Sequence, residues 1–110
     1  MNTFVPIFPH SGKTFLVSYG DDLGAINAYS ADGKILRYEI VKGPYKGATA
    51  EVEFEWTALG EDAYLISWQE ADKSTVVHHD DFARGQSKVF FTTSQLVFYR
   101  LQGRLEKYVG

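Results

Sequence analysis

One acidic side chain, Glu70, stands at the end of an apolar stretch with the composition of a β-strand. The stretch, Ala63-Tyr64-Leu65-Ile66-Ser67-Trp68-Gln69-Glu70, is rich in aromatic and branched residues. Strand side chains alternate between two faces, so one face carries Tyr64, Ile66, Trp68 and Glu70. An ionised carboxylate in an apolar interior is costly unless it is paired or protonated. Either the strand ends in solvent at Glu70, or the protein has a pocket that contains an acid, usable there as a general acid or base.

A second polar cluster, His78-His79-Asp80-Asp81, is the densest in the chain. In a strand, His78 and Asp80 would share one face. A His-x-Asp pair can bind a metal ion or form an acid–base couple. A metal site needs three or four ligands, and the remaining histidine, His10, lies far away near the N-terminus, so we expect no metal. The cluster is then either a pair with one member reaching the interior, or a set of solvated residues near a strand end.

Composition restricts the classes of function. The chain has 110 residues, which predicts one domain, and a net charge of -3, which argues against a nucleic-acid partner. No apolar run is long enough to span a membrane, and the N-terminus lacks the pattern of a signal peptide, so we expect a cytoplasmic protein without a membrane partner. Cysteine is absent, and no serine sits in a Gly-x-Ser-x-Gly motif, so nucleophilic catalysis has little support.

Short strands must position these residues. Residues 1–12 contain Pro6 and Pro9 and predict an extended apolar arm, which packs over one end of the domain or onto a second subunit. Residues 13–110 predict a single barrel domain. Its strands are expected at 13–19, 23–30, 35–41, 50–57, 63–70, 75–81, 88–93, 95–101 and 104–108, with a short helix as the alternative for 23–30.

Patterns within this series predict how the strands fold together. Asp32-Gly33 indicates a two-residue hairpin turn. Strand 50–57 alternates cleanly, with Val52, Phe54 and Trp56 on one face and three glutamates, at 51, 53 and 55, on a solvated outer face. Gly103 is expected to mark a bend or bulge. Eight or nine short antiparallel strands are typical of a sandwich or a barrel, and an eight-stranded barrel is either filled by side chains or holds one small ligand.

Several stretches resemble the small calycin proteins. They are Gly12-Lys13-Thr14-Phe15 with Tyr19, Leu36-Arg37-Tyr38-Glu39-Ile40 with Gly47, and Tyr64 to Glu70. Ser74 to Phe82 and Leu101-Gln102-Gly103-Arg104-Leu105 resemble the MoaF-like proteins in particular. The chain resembles the phenolic acid decarboxylases more distantly. The resemblance implies a lipocalin-like antiparallel barrel with a central cavity.

The resemblance to the decarboxylases is incomplete where those enzymes handle a carboxylate. Their Ser-Trp-x-Glu segment carries a glutamate that lies in the barrel and acts in proton transfer, and Glu70 matches it. Their Tyr-x-Tyr pair matches here only at Tyr19, because Val17 stands at the first position. Their arginine after the glycine that matches Gly47 is replaced by Ala48. These differences argue against phenolic acid decarboxylation but leave the pocket in place.

The sequence therefore predicts an all-β, lipocalin-like (calycin) antiparallel barrel of eight to nine strands that binds a small apolar or aromatic ligand, without a cofactor. The expected ligand-binding residues are Tyr38, Trp56, Tyr64 and Trp68, although the same aromatics could simply fill the core. The alternative is a cofactor-free lyase or isomerase, with Glu70 as acid/base and Tyr19 and His78 assisting. A third reading is a filled barrel that acts through its outer surface, with the apolar arm at 4–8 joining a homodimer.

Overall fold

The computed structural model describes residues 6–109, and this part of the chain consists of nine β-strands joined by turns, without a helix. The strands are β1 (Thr14–Ser18), β2 (Gly24–Tyr29), β3 (Ile35–Lys42), β4 (Thr49–Glu53), β5 (Glu55–Gly60), β6 (Ala63–Gln69), β7 (Thr75–Asp81), β8 (Gln86–Thr92) and β9 (Phe98–Lys107).

All nine strands belong to one antiparallel sheet in the order β4-β3-β2-β1-β9-β8-β7-β6-β5. The two ends of this order, β4 and β5, are consecutive in sequence and are separated only by Phe54. The sheet therefore curls round until its ends meet, and the predicted antiparallel barrel is confirmed in a nearly closed form. Along the seam between its ends, β4 pairs only with β3 and β5 pairs only with β6.

Because side chains alternate along each strand, every second residue points into the barrel. In β1 the buried residues are Phe15 and Val17, followed by Tyr19 just after the strand. In β7 the alternating buried residues are Val76, His78 and Asp80, so this face of the predicted strand 75–81 lines the interior, and Asp81 is also buried where the strand ends. The glutamates of β4 and β5 are exposed, as the alternating pattern predicted.

The segment 23–30 contains the predicted strand, here β2, and not the alternative helix. Two other predicted elements differ from those observed. Strand 50–57 is broken at Phe54, because the chain changes pairing partner there: Val52 lies opposite Leu36 of β3, and Trp56 lies opposite Ile66 of β6. The expected strands 95–101 and 104–108 form the single strand β9.

β9 runs through Gly103 without a shift of register, so the expected bulge is absent there, and the glycine allows a close approach. A Cβ atom at this position would lie 1.9 Å from the carbonyl oxygen of Ser18, so only glycine lets the end of β1 pass here. The turn at Asp32-Gly33 is also longer than the predicted two-residue hairpin. The hydrogen bond from Ser30 N–H to Ile35 O, at 2.9 Å, encloses four residues, with Gly33 at a φ of 73°.

One end of the barrel is filled by aromatic rings gathered around Phe8, whose exposure is 0%. Its ring centroid lies 4.7 to 6.2 Å from those of Tyr29, Phe54, Trp56, Tyr64 and Phe82. We call this set the Phe8 cluster.

His10 lies beside this cluster. It stacks on Phe82 at 3.9 Å, and its Nε2 lies 2.8 Å from Asp62 Oδ1. The arm from Pro6 onward thus packs over one end of its own domain. Phe4 and Val5, which belong to the apolar arm at 4–8, lie outside the described residues.

Candidate functional site

Glu70 directly follows β6 and is half-buried. Each of its carboxylate oxygens accepts a hydrogen bond from an aromatic side chain. The Tyr38 hydroxyl donates to Oε1 at 2.8 Å, and the Trp68 indole Nε1–H donates to Oε2 at 2.5 Å. The acid on the apolar face of the stretch is therefore held between two rings.

Local structure explains how these three side chains meet. Tyr38 faces inward from β3, between Leu36 and Ile40, and Trp68 and Glu70 share the inward face at the end of β6. The turn after Glu70 is closed by a hydrogen bond from Glu70 N–H to Ser74 O at 2.8 Å. The Tyr38–Glu70 hydrogen bond consequently spans the seam.

Tyr38 is a stable hydrogen-bond donor in this setting. Burial raises the pKa of its hydroxyl, and the hydrogen bond to Glu70 and the negative charge of that carboxylate raise it further. The hydroxyl therefore keeps its proton at neutral pH and donates it to Glu70.

His78 continues the cluster towards the middle of the barrel. Its ring stacks on that of Trp68, with centroids 5.0 Å apart and planes inclined by 27°. On its other side, His78 Nδ1 lies 3.3 Å from Asp80 Oδ1. Asp80 has an exposure of 0%, so it is a carboxyl group within the core.

Tyr19 reaches the same carboxyl group from β1 through a serine. The Ser87 hydroxyl donates to Asp80 Oδ1 at 2.6 Å, and the Tyr19 hydroxyl lies 2.6 Å from Ser87 Oγ. Because Ser87 has one proton and gives it to Asp80, Tyr19 must be the donor to Ser87. Burial, followed by the charge of Asp80, raises the pKa of Tyr19 and keeps that proton in place.

Two predicted ligand-binding residues lie elsewhere. Trp56 and Tyr64 belong to the Phe8 cluster, where their ring centroids are 5.9 Å apart. The other five predicted site residues form one connected series across the interior, which we call the interior network. With the two residues that join it, the series is Tyr38, Glu70, Trp68, His78, Asp80, Ser87 and Tyr19.

Ser87 is the member of this network that the sequence did not reveal. It lies just before the predicted strand 88–93, whereas β8 begins at Gln86 and buries Ser87 completely. The pattern that could have revealed Ser87 is its spacing of two residues from Val89, because residues two apart in a strand share one face. Extending the predicted strand 88–93 backward by two residues would have placed Ser87 inside.

An open concavity of about 720 Å³ lies on the barrel where β4 gives way to β5. Its walls include Lys34, Phe54, Trp68 and Val76. Trp68 therefore borders both this concavity and the carboxylate of Glu70.

Residues 6–109 contain neither a metal-binding group nor a membrane-spanning helix. No three histidine, aspartate or glutamate side chains in this range are grouped so as to hold a metal ion. Over the same residues there is no helix with the length and apolarity required to cross a membrane.

Comparison with known proteins places this fold in a family. The sequence matches the MoaF-like family over residues 11–106. A crystal structure from Burkholderia vietnamiensis, described as a "putative beta-lactamase", has a TM-score of 0.91 and 53% sequence identity, and the match covers 94% of this chain and 100% of that one. No curated protein matches. The chain belongs to the MoaF-like family.

Proposed function

We propose that this protein binds a small aromatic or cyclic molecule at the seam of its barrel. The ligand would stack on Trp68 and meet the polar atoms of Tyr38, Glu70 and His78. The observation that carries this proposal is the double hydrogen bond that holds Glu70 between Tyr38 and Trp68, 2.8 Å and 2.5 Å from its two oxygens. A few oriented polar groups among aromatic walls are typical of small-molecule sites.

The position of Trp68 supports access from solvent. The concavity beside β4 and β5 reaches this residue, and the strand pairing of the sheet is interrupted there. The Phe8 cluster occupies the interior around Tyr64 and contributes Phe54 to the wall of the same concavity. We therefore place the ligand at the Trp68 end and assign Trp56 and Tyr64 to the packing of the core.

An enzymatic role for the same site is the second candidate function. The half-buried carboxylate of Glu70 would act as general acid or base on a bound aromatic or cyclic substrate, without a cofactor. Two fixed donors hold that carboxylate, the Trp68 indole N–H at 2.5 Å and the Tyr38 hydroxyl at 2.8 Å. Glu70→Gln separates the two roles, because it keeps the shape of the site but removes the acid. A lyase or isomerase would lose turnover with ligand affinity largely retained.

The description of the Burkholderia protein does not transfer readily to this chain. Serine β-lactamases use a Ser-x-x-Lys motif to supply the nucleophile and a nearby base. None of the serines of this sequence is followed by lysine at that spacing. β-Lactam hydrolysis is therefore not part of the proposal.

The proposal can be tested with the two tryptophans of the chain. Trp56→Phe leaves Trp68 as the sole tryptophan, and Trp68→Phe leaves Trp56 as the matched control, with tryptophan excited selectively over tyrosine. Both variants are titrated with a panel of phenols, and saturable quenching is expected only when Trp68 is present. Saturable quenching confined to Trp56, or none with any compound, would overturn the proposed site.

We also propose the cytoplasmic location and the homodimer that the sequence predicts. Ile7 of the arm is 60% exposed and available for contact with a second copy, whereas Phe8 is fully buried in its own chain. Light scattering across a range of protein concentrations tests the homodimer, and a constant monomeric mass would contradict it.

A further inference from the structure

Asp80 has an unused acceptor in the interior of the barrel. It is fully buried, and its Oδ2 atom has no hydrogen-bond partner among the described residues. A buried carboxylate oxygen without a partner is rare in folded proteins, because the group has lost its water and gained nothing in return.

The neighbouring hydrogen-bond donors do not supply a partner for Asp80 Oδ2. Ser87 donates to Oδ1 at 2.6 Å, and His78 Nδ1 also lies on the Oδ1 side, at 3.3 Å. Tyr19 is committed to Ser87, since the single serine proton already goes to Asp80. The donors of the interior network thus converge on one oxygen and leave the other for a group that the chain does not supply.

The surroundings indicate what that group is. A carboxylate only accepts hydrogen bonds, so its partner must be a donor. Burial, and after it the charge of Asp80, raises the pKa of both Tyr19 and Tyr29, so both hydroxyls stay neutral and neither supplies a counter-charge. Glu70 adds a second carboxylate on the other side of the Trp68–His78 stack. Two acids among aromatic rings favour a positively charged ligand and disfavour an anionic one.

We infer that the site selects aromatic or cyclic ligands that carry a protonated amine, and that Asp80 Oδ2 receives the amine. This inference rests on the proposed function, because it names the class of molecule that would occupy the same barrel. A ligand with a carboxylate would face the two carboxylates of Glu70 and Asp80 and be repelled by them.

Three probes that share a phenol ring test the inference. Tyramine carries an amine, 4-ethylphenol is neutral, and 3-(4-hydroxyphenyl)propionate carries a carboxylate. Their affinities are measured by nuclear magnetic resonance titration of the labelled full-length chain. For the wild type we expect tyramine to bind about tenfold more tightly than 4-ethylphenol, and the propionate to bind most weakly.

Two variants assign the preference to an atom. Asp80→Asn keeps the shape but removes the charge that receives the amine. The ratio of tyramine to 4-ethylphenol affinity should then fall from about ten to about two, the remainder being the attraction of Glu70. Glu70→Gln should weaken both ligands while the ratio stays well above one. A ratio near one in the wild type, a ratio unchanged in Asp80→Asn, or a ratio lost in Glu70→Gln would each overturn the inference.

The outcomes also separate this inference from the proposed function. Binding of 4-ethylphenol without any preference for tyramine would reject the amine and leave the small-molecule site standing. Failure of all three probes to bind would reject both. The wild-type comparison and Glu70→Gln decide the matter even if Asp80→Asn does not fold.

Discussion

The hydroxyl of Tyr38 donates a hydrogen bond to Glu70 across 2.8 Å, joining β3 to the end of β6. These strands are next to the two opposite ends of the nine-strand order, so no ladder of backbone hydrogen bonds connects them. This side-chain hydrogen bond bridges the seam of the barrel at the place where we locate the ligand, beside the rings of Tyr38 and Trp68, whose centroids are 6.3 Å apart. The first prediction concerns the stability of this bridge.

Tyr38→Phe removes the donor and keeps the ring. We expect the free energy of unfolding to fall by about 1 kcal/mol, because one partly exposed hydrogen bond to a carboxylate is lost. Urea denaturation measures the change. Tyr45→Phe is the matched control, since Tyr45 is 74% exposed, and it should change stability by less than about 0.5 kcal/mol. Equal effects of the two substitutions would show that the bridge contributes nothing.

Phe8→Ala tests the packing of the arm into the barrel. Truncating a fully buried phenylalanine should cost about 3–5 kcal/mol, because the removed ring leaves a cavity among five other aromatic side chains. Its neighbour Ile7 is 60% exposed, so Ile7→Ala should have little effect. Thermal and urea unfolding of both variants provide the measurement. A mild effect at Phe8 would mean that the arm is not part of the core.

Alkaline pH should destabilise the fold. The pKa values of Tyr19 and Tyr29 are raised chiefly by burial, so both side chains keep their protons at a pH where the unfolded chain loses them. The stability is therefore complete below about pH 10 and declines above it, by about 1.4 kcal/mol per pH unit for each such tyrosine. Unfolding by urea at a series of pH values measures this slope. Tyr19→Phe should reduce the slope by the contribution of one tyrosine, and an unchanged slope would contradict the assignment.

No β-lactam hydrolysis is expected. Purified protein incubated with the chromogenic cephalosporin nitrocefin should show the same colour change as buffer. The reason is that the sequence lacks the Ser-x-x-Lys spacing. Hydrolysis that is retained through purification and abolished by Glu70→Gln would refute this expectation and assign the activity to the site described above.

The sequence predicts the strands and their faces well, because alternation is a local property. It places Trp68 and Glu70 on one face of their strand and His78 and Asp80 on one face of theirs, but it does not say which face of strand 75–81 points inward. It could not separate Trp68 from Trp56, since both are inward-facing aromatics and only the position of Phe8 shows which end is filled. The sequence does not reveal the role of Ser87, because that role depends on Tyr19 and Asp80, which the pairing of distant strands brings to it.

The most direct test of the small-molecule site is the resonance of the Trp68 indole N–H. Trp68 donates this proton to Glu70 and lines the concavity, whereas Trp56 packs in the Phe8 cluster. The two indole signals are assigned with Trp56→Phe and then followed during titration with 4-ethylphenol. The proposal predicts a saturable shift of the Trp68 signal with the Trp56 signal nearly unmoved. A Trp68 signal that stays in place, or a shift confined to Trp56, would contradict it.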